Sequence, residues 1–318
     1  MPLALTTQVV DTFGVGKIFD DNVTSMNFDA SGELLATTSP DTIRIYSATD
    51  GKELKHSYSK KYGCDLVRFT HRNTNLLHSS TLLDHTLRLL STHDNKYIRY
   101  FKGHSATVMN LEMCPTDDTF LSSSTDGQVY KWDLRVSDPV AHMQVPRNLA
   151  PTEMRPLVSW DPSGLVFAVG CNSRYLRLYD ARNFQSGPFV SSDIVPMNPL
   201  GKWHAMEISN DSNNIVLSTN SDYTVLAHGS NGEFRCNLSG YTNDNSSPLK
   251  AGFSPDSKYI LCGSGTGLVS FWNAQTGNLA CSLQGHSEPV LGVEFNPRYA
   301  MFASYSESNL GFWLQPPV

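Results

Sequence analysis

A recurring unit of a little over forty residues dominates this sequence. Its clearest copy, His104 to Asp133, reads HSATVMNLEMCPTDDTFLSSSTDGQVYKWD and follows Gly103. It contains an alternating segment, a Cys114-Pro-Thr-Asp turn, a Ser-rich segment, an Asp126-Gly127 turn and a segment ending on Trp132-Asp133. Apolar and polar residues alternate as in half-buried strands, and Asp, Asn, Gly and Pro fall where the backbone must reverse. The terminus of the third segment can be followed along the chain at Tyr46-Ser47, Leu90-Ser91, Trp132-Asp133, Tyr179-Asp180, Ala227-His228, Trp272-Asn273 and Trp313-Leu314, at intervals of 44, 42, 47, 48, 45 and 41 residues. The first turn gives an independent register: Asp29-Ala-Ser-Gly, Thr70-His-Arg-Asn, Cys114-Pro-Thr-Asp, Asp161-Pro-Ser-Gly, Asn210-Asp-Ser-Asn, Ser254-Pro-Asp-Ser and Asn296-Pro-Arg-Tyr.

A period of about 40 to 45 residues with four strands per unit is that of a WD-type propeller blade. The expectation is an all-β chain: a single seven-bladed WD-repeat β-propeller occupying residues 1–318 as one domain. Its blades fall at approximately 23–58, 64–101, 104–145, 155–194, 202–240, 247–284 and 287–318 plus 12–19. The last unit stops just after its third strand, whereas Thr12 to Phe19 precedes the first unit as an unclaimed strand-like segment. The N-terminal strand is therefore expected to close the last blade and remove an exposed sheet edge.

Composition narrows the function classes. Hydrophobic residues make up 40% and aromatics 10%, enough for a core, and no apolar stretch approaches the roughly 18 residues of a membrane span. Met1 to Val10 lacks the basic start and apolar centre of a secretory signal, which points to a reducing compartment. The six cysteines, Cys64, Cys114, Cys171, Cys236, Cys262 and Cys281, form no Cys-x-x-Cys pair and read as buried free thiols. Net charge is -6 and the basic residues are scattered, so no sequence-specific nucleic-acid binding is expected.

Residues that suggest chemistry have plainer explanations. His104, Ser122 or Ser124, Asp126 and Trp132 hold a Ser, a His and an Asp, as a nucleophilic triad does. Fragments of the set recur in other units, with Asp41, Asp84 and Asp222 in the second turn and His286 with Trp313, whereas Ser173, Thr266 and Ser308 replace the acid. Recurrence in degraded form suits a buried polar network that fixes each blade, not a catalytic set. Gly14-Val-Gly-Lys17 lacks the first Gly and the Ser or Thr of a phosphate loop, and GSGTG at Gly263 to Gly267 has no helix after it. The ten histidines show no metal-ligand spacing, and Asp117-Asp118 is too short for a calcium loop. No catalytic residue, metal or cofactor is expected.

Several stretches go beyond the generic repeat: Tyr58-Ser-Lys-Lys-Tyr-Gly63, His93-Asp-Asn-Lys-Tyr-Ile-Arg-Tyr-Phe101, Phe184-Gln-Ser-Gly-Pro-Phe189, and Phe295-Asn-Pro-Arg-Tyr with Phe302-Ala-Ser304. With the seven-unit layout, they resemble the WD-repeat subunit shared by COMPASS-type histone methyltransferase complexes and by the cleavage and polyadenylation, phosphatase and termination module. The resemblance runs over essentially the whole chain. It implies a nuclear, non-enzymatic scaffold that binds segments of partner subunits on chromatin and nascent transcripts, with the phosphorylated tail of RNA polymerase as a further expected partner. In the WD repeat, His104, Ser122 or Ser124, Asp126 and Trp132 occupy the positions of the hydrogen-bonded blade network.

Candidate partner-binding residues are Lys60, Lys61 and Tyr62 in the connection from blade one to blade two, and His93, Asn95, Lys96, Tyr97 and Arg99 around blade two's fourth strand. The first group is expected on one face and the His93 turn on the opposite face, so the two do not make one pocket. Paired lysines suit an acidic or phosphorylated peptide. Strict alternation through KYIRYF places Tyr97, Arg99 and Phe101 on one side and Lys96, Ile98 and Tyr100 on the other.

Two other readings compete. Trp132-Asp-Leu-Arg135 matches the Trp-Asp-x-Arg box by which propellers dock a cullin-RING ubiquitin ligase adaptor, and Tyr179-Asp-Ala-Arg182 echoes it. A propeller enzyme needs acids, bases or metal ligands converging at one mouth, and the loops supply none.

Overall fold

The structure, a computed structural model, describes residues 5–145, 155–194 and 201–315; residues 1–4 and the last three of the seventh expected blade, 316–318, lie outside them. The strands form seven four-stranded sheets. Six are built from consecutive strands. The seventh joins Gly292–Phe295, Met301–Tyr305 and Asn309–Leu314 to the N-terminal strand Gly14–Asp20. The fold class is the expected one: all-β, seven WD-type propeller blades, the last completed by the N-terminal strand.

Turn chemistry explains why the units recur. In the first turn a side chain caps the backbone that follows it: Asp29 accepts from the Leu34 amide at 2.9 Å, Asp117 from Thr119 at 2.9 Å and Asn296 from Arg298 at 2.9 Å. In the second turn of blade three Asp126 accepts from the Gln128 amide at 2.8 Å, and Gly127 supplies the φ of +80° that closes the reversal.

The chain forms two compact units, Thr24–Ser191 and Met1–Val23 with Ser192–Val318. In the first, blades one and two share a core around Ile43, Val67, Leu76 and Leu90, blades two and three around Leu89, Phe101, Leu111 and Trp132, and blades three and four around Val129, Val158, Phe167 and Tyr179. In the second, Val216, Leu238, Phe253 and Trp272 pack blades five and six together. Leu5, Val10 and Phe13 join Phe271, Phe302 and Trp313 between blades six and seven. The N-terminal strand pairs antiparallel with Asn309–Leu314, Val15 opposite Trp313 and Asp20 opposite Asn309.

Second strands are the most buried and fourth strands the least: Asn214–Thr219 is buried throughout, whereas Lys52–Tyr58 is exposed at nearly every position. This gradient corrects one expectation. All six cysteines are free, but Cys236 and Cys281 are only partly buried because both sit on fourth strands. Burial pushes the thiols of Cys64 and Cys262 up to about 12, so they stay protonated and unreactive.

Candidate functional site

Blade three carries the complete polar chain. Trp132 Nε1 donates to Ser122 Oγ at 2.8 Å, Ser122 Oγ lies 2.7 Å from His104 Nε2, and His104 Nδ1 lies 3.2 Å from Asp126 Oδ2. The carboxylate can only accept, so Nδ1 carries the proton and Nε2 accepts from the Ser122 hydroxyl. Asp126 also accepts from the Ser105 amide at 2.9 Å. Burial raises its pKa, but the hydrogen bonds from His104, Gln128 and Ser105 outweigh burial and hold it below its ordinary value. Ser124 stands outside this chain: it donates to Ala106 O at 2.9 Å and accepts from the Asp126 amide. The order Ser, His, Asp is that of a triad, yet Ser122 is fully buried and its oxygen already accepts an indole N–H. No acyl group can reach it.

Blade seven repeats the chain without the acid. His286 Nε2 lies 2.6 Å from Ser304 Oγ, which accepts from Trp313 Nε1 at 2.7 Å. At the acid's place Ser308 donates to Glu288 at 2.6 Å. The sequence marked His286 and Trp313 but missed Ser304, whose position corresponds to Ser122.

On blade two the structure gathers a basic and aromatic surface. Ser59 to Gly63 forms a tight turn, the Gly63 amide donating to Ser59 O at 2.7 Å. Gly63 has φ +67°, and a Cβ there would collide with Thr81 Oγ1. Thr81 and Leu82 in turn donate their amides to Tyr62 O at 3.0 and 2.9 Å, joining this turn to the loop between the second and third strands. Lys60 and Lys61 are exposed, with ammonium groups 5.3 Å from the Tyr58 ring and 5.2 Å from the Tyr62 ring. Leu82 and Leu83 beside them are 63% and 64% exposed.

Arg88 holds this surface from beneath. Its side chain is 2% exposed, and its guanidinium meets Asp84 through two hydrogen bonds of 3.0 Å and lies 3.9 Å from the Tyr62 ring centroid. Burial raises the Asp84 pKa, but the Arg88 hydrogen bonds and the Thr86 amide prevail and keep it below the usual carboxylate value. Tyr97 Oη lies 3.0 Å from Ser59 Oγ, and its ring is 6.0 Å from Tyr62 and 5.8 Å from Tyr100. His78, fully buried and 5.8 Å from Tyr97, has its pKa lowered to about 4, chiefly by burial.

The fourth strand corrects the alternation. Leu90 faces Tyr97 and Leu89 faces Arg99, so Ile98 is an extra residue in a β-bulge. Beyond it the faces exchange: Tyr97 and Tyr100 share the side of Leu90 and Arg88, whereas Arg99 and Phe101 share the side of Leu89 and Leu87. Lys60, Lys61, Tyr62 and Tyr97 thus come together. His93, hydrogen-bonded to Asp94 at 2.6 Å, Asn95 at φ +53° and Lys96 lie at the opposite end of the sheet, and Arg99 faces blade three. Sequence reading missed Arg88, Leu82, Leu83 and Tyr100. Arg135 is held by Asp133, with its Nη2 at 2.6 Å and its Nε at 2.9 Å, while 77% of its side chain stays exposed.

Comparison with known proteins fits this geometry. The WD domain, G-beta repeat family matches residues 13–47, 95–133 and 236–273. WD repeat-containing protein 82 of Drosophila melanogaster is 41% identical, with 99% of this chain and 98% of that protein covered. COMPASS component SWD2 of Saccharomyces cerevisiae is 34% identical over 90% of this chain and 89% of that protein, and Set1 complex component swd2 of Schizosaccharomyces pombe is 35% identical over 76% and 68%. The chain therefore belongs to the family of WD-repeat proteins that includes WD repeat-containing protein 82 and SWD2.

Proposed function

We propose that this chain is a non-catalytic scaffold subunit of nuclear assemblies, one for COMPASS-type histone lysine methylation and one for transcription termination and mRNA 3′-end processing. The observation that carries the reading is similarity along nine-tenths of the chain to a protein named as a COMPASS component. The polar chain of blade three supports the non-catalytic part, because Ser122, placed like a nucleophile, is sealed under an indole. The seven blades act as a single domain, and partner segments dock on Lys60, Lys61, Tyr62 and Tyr97. His93, Asn95 and Lys96 offer a second contact at the other end of blade two, and Arg99 one on the side facing blade three. The phosphorylated tail of RNA polymerase is a fitting ligand for the lysine pair, since ammonium groups on an aromatic bed attract anions.

Tagged chain recovered from nuclear extract tests the proposal. Mass spectrometry should find subunits of a histone methyltransferase complex together with polyadenylation and phosphatase subunits. Recovery of neither kind refutes it.

A further inference from the structure

A groove of about 450 Å³ lies between the fourth strand of blade three and blade four, within the range of roughly 300 to 1,000 Å³ common for ligand sites. His142, Met143 and Gln144 line one wall. Successive side chains of a strand point to opposite faces, so three in a row can border one groove only where the strand presents its edge. Among the described residues Ala141–Gln144 is the last strand in its sheet and pairs only with Gln128–Asp133. Its free edge offers backbone N–H and C=O groups to another extended chain.

Arg177 and Tyr179 form the facing wall, two residues apart on Tyr175–Asp180. Arg88 and Arg135 are ion-paired within the chain, and Arg235 is hydrogen-bonded to Asn214 and to the Ala274 carbonyl. Arg177 makes no ion pair among the described residues; its side chain hydrogen-bonds to Tyr179, and its Nε is buried without a hydrogen-bond partner. The Tyr175 ring centroid lies 5.9 Å from the guanidinium. A partly desolvated guanidinium in this state favours a carboxylate, whose two oxygens match its fork.

The rim is preformed. Phe184 is buried against Phe167, centroids 5.6 Å apart, and anchors the 3-10 turn Phe184–Ser186. Gly187 follows at φ +97° with nothing within 4 Å of where a Cβ would stand, which keeps the groove open above the turn. This accounts for the Phe184-Gln-Ser-Gly stretch that the blade repeat leaves unexplained. Val140, one residue before the edge strand, and Phe189, just after the turn, are 57% and 58% exposed.

We propose that this groove binds an extended segment of a partner protein that adds to the Ala141–Gln144 edge and places an Asp or Glu side chain on Arg177, with apolar neighbours beside it. A free strand edge, a cation without a carboxylate partner among the described residues and exposed apolar residues fit such a segment, by the mode in which main-chain bonds give affinity and alternate side chains give specificity. The inference is independent of which assembly the chain joins.

The test is selection from a phage-displayed library of random 12-residue peptides against the folded full chain, Arg177→Met and Arg177→Glu. Wild type should enrich peptides with an acid at one fixed position. Synthetic copies should bind Arg177→Met roughly tenfold or more weakly and protect the amides of 141–144 from hydrogen exchange. Arg177→Glu should enrich Lys or Arg at the same position, and its binding supplies its own proof of folding. Absence of enrichment on wild type, peptides without a fixed acid, or equal binding to wild type and Arg177→Met overturns the proposal.

Discussion

Trp132 donates its indole N–H to Ser122 Oγ at 2.8 Å, and that single bond settles the role of the Ser, His and Asp around it. Ser122 accepts from Trp132 and gives its proton to His104, which gives its own to Asp126. Ser122→Ala strands a buried indole N–H and a buried imidazole nitrogen, so stability should fall by about 2 to 4 kcal/mol. Ser124→Ala, which breaks bonds to backbone groups in the turn, should cost about 1 kcal/mol. Urea denaturation of the two variants checks the order; a larger loss for Ser124→Ala would contradict the network.

His78 makes stability depend on pH. Its folded pKa of about 4 lies below the ordinary 6.5, so the folded state resists a proton that the unfolded state accepts. The stabilisation is complete above 6.5 and is lost progressively as pH falls from 6.5 towards 4, roughly 3 kcal/mol in all. His78→Leu should flatten that part of the profile. Urea midpoints at pH 7.5, 6 and 5 measure it.

Arg88→Met should loosen the surface without touching an exposed residue. It removes both Asp84 bonds and the cation beneath Tyr62. The Asp84 carboxyl should return towards its ordinary pKa, and stability should drop by about 2 to 3 kcal/mol, less than for a fully buried pair because Asp84 is 41% exposed. NMR titration of the carboxylates reads the first effect and denaturation the second.

Lys60→Glu with Lys61→Glu should leave stability within about 0.5 kcal/mol of wild type, since both side chains are exposed and make no ion pair among the described residues. Recovery of partner subunits should fall, and wild-type recovery should weaken with added salt. Quantitative mass spectrometry of the two preparations compares them.

Arg135→Asp should leave partner recovery unchanged. The guanidinium is engaged by Asp133 of its own blade. Loss of a cullin adaptor from the variant, after its capture by wild type, would instead support the ubiquitin-ligase reading.

The blade plan was legible because turn residues act locally: Asp29, Asp117 and Asn296 each cap their own turn, so their spacing survives whatever the neighbouring strands do. The face of Tyr100 was not legible. Alternation assumes one-to-one pairing, and the bulge at Ile98 depends on the partner strand. Arg88 was hidden for a related reason. In Leu87-Arg-Leu-Leu it reads as the polar face of a strand, and acceptors on Asp84, Ser80 and Thr86, in a loop whose path the sequence does not specify, let it stay buried. Ser304 was within reach, since its register against Trp313 matches that of Ser122 against Trp132.

The pairing of Val15 with Trp313 joins two strands almost three hundred residues apart in sequence, so the seventh sheet is complete only once this long-range contact has formed. Until then Asn309–Leu314 has no partner on that side and Leu5, Val10 and Phe13 have no core to enter. A chain that has not yet made this contact thus carries an exposed strand edge able to pair with other chains.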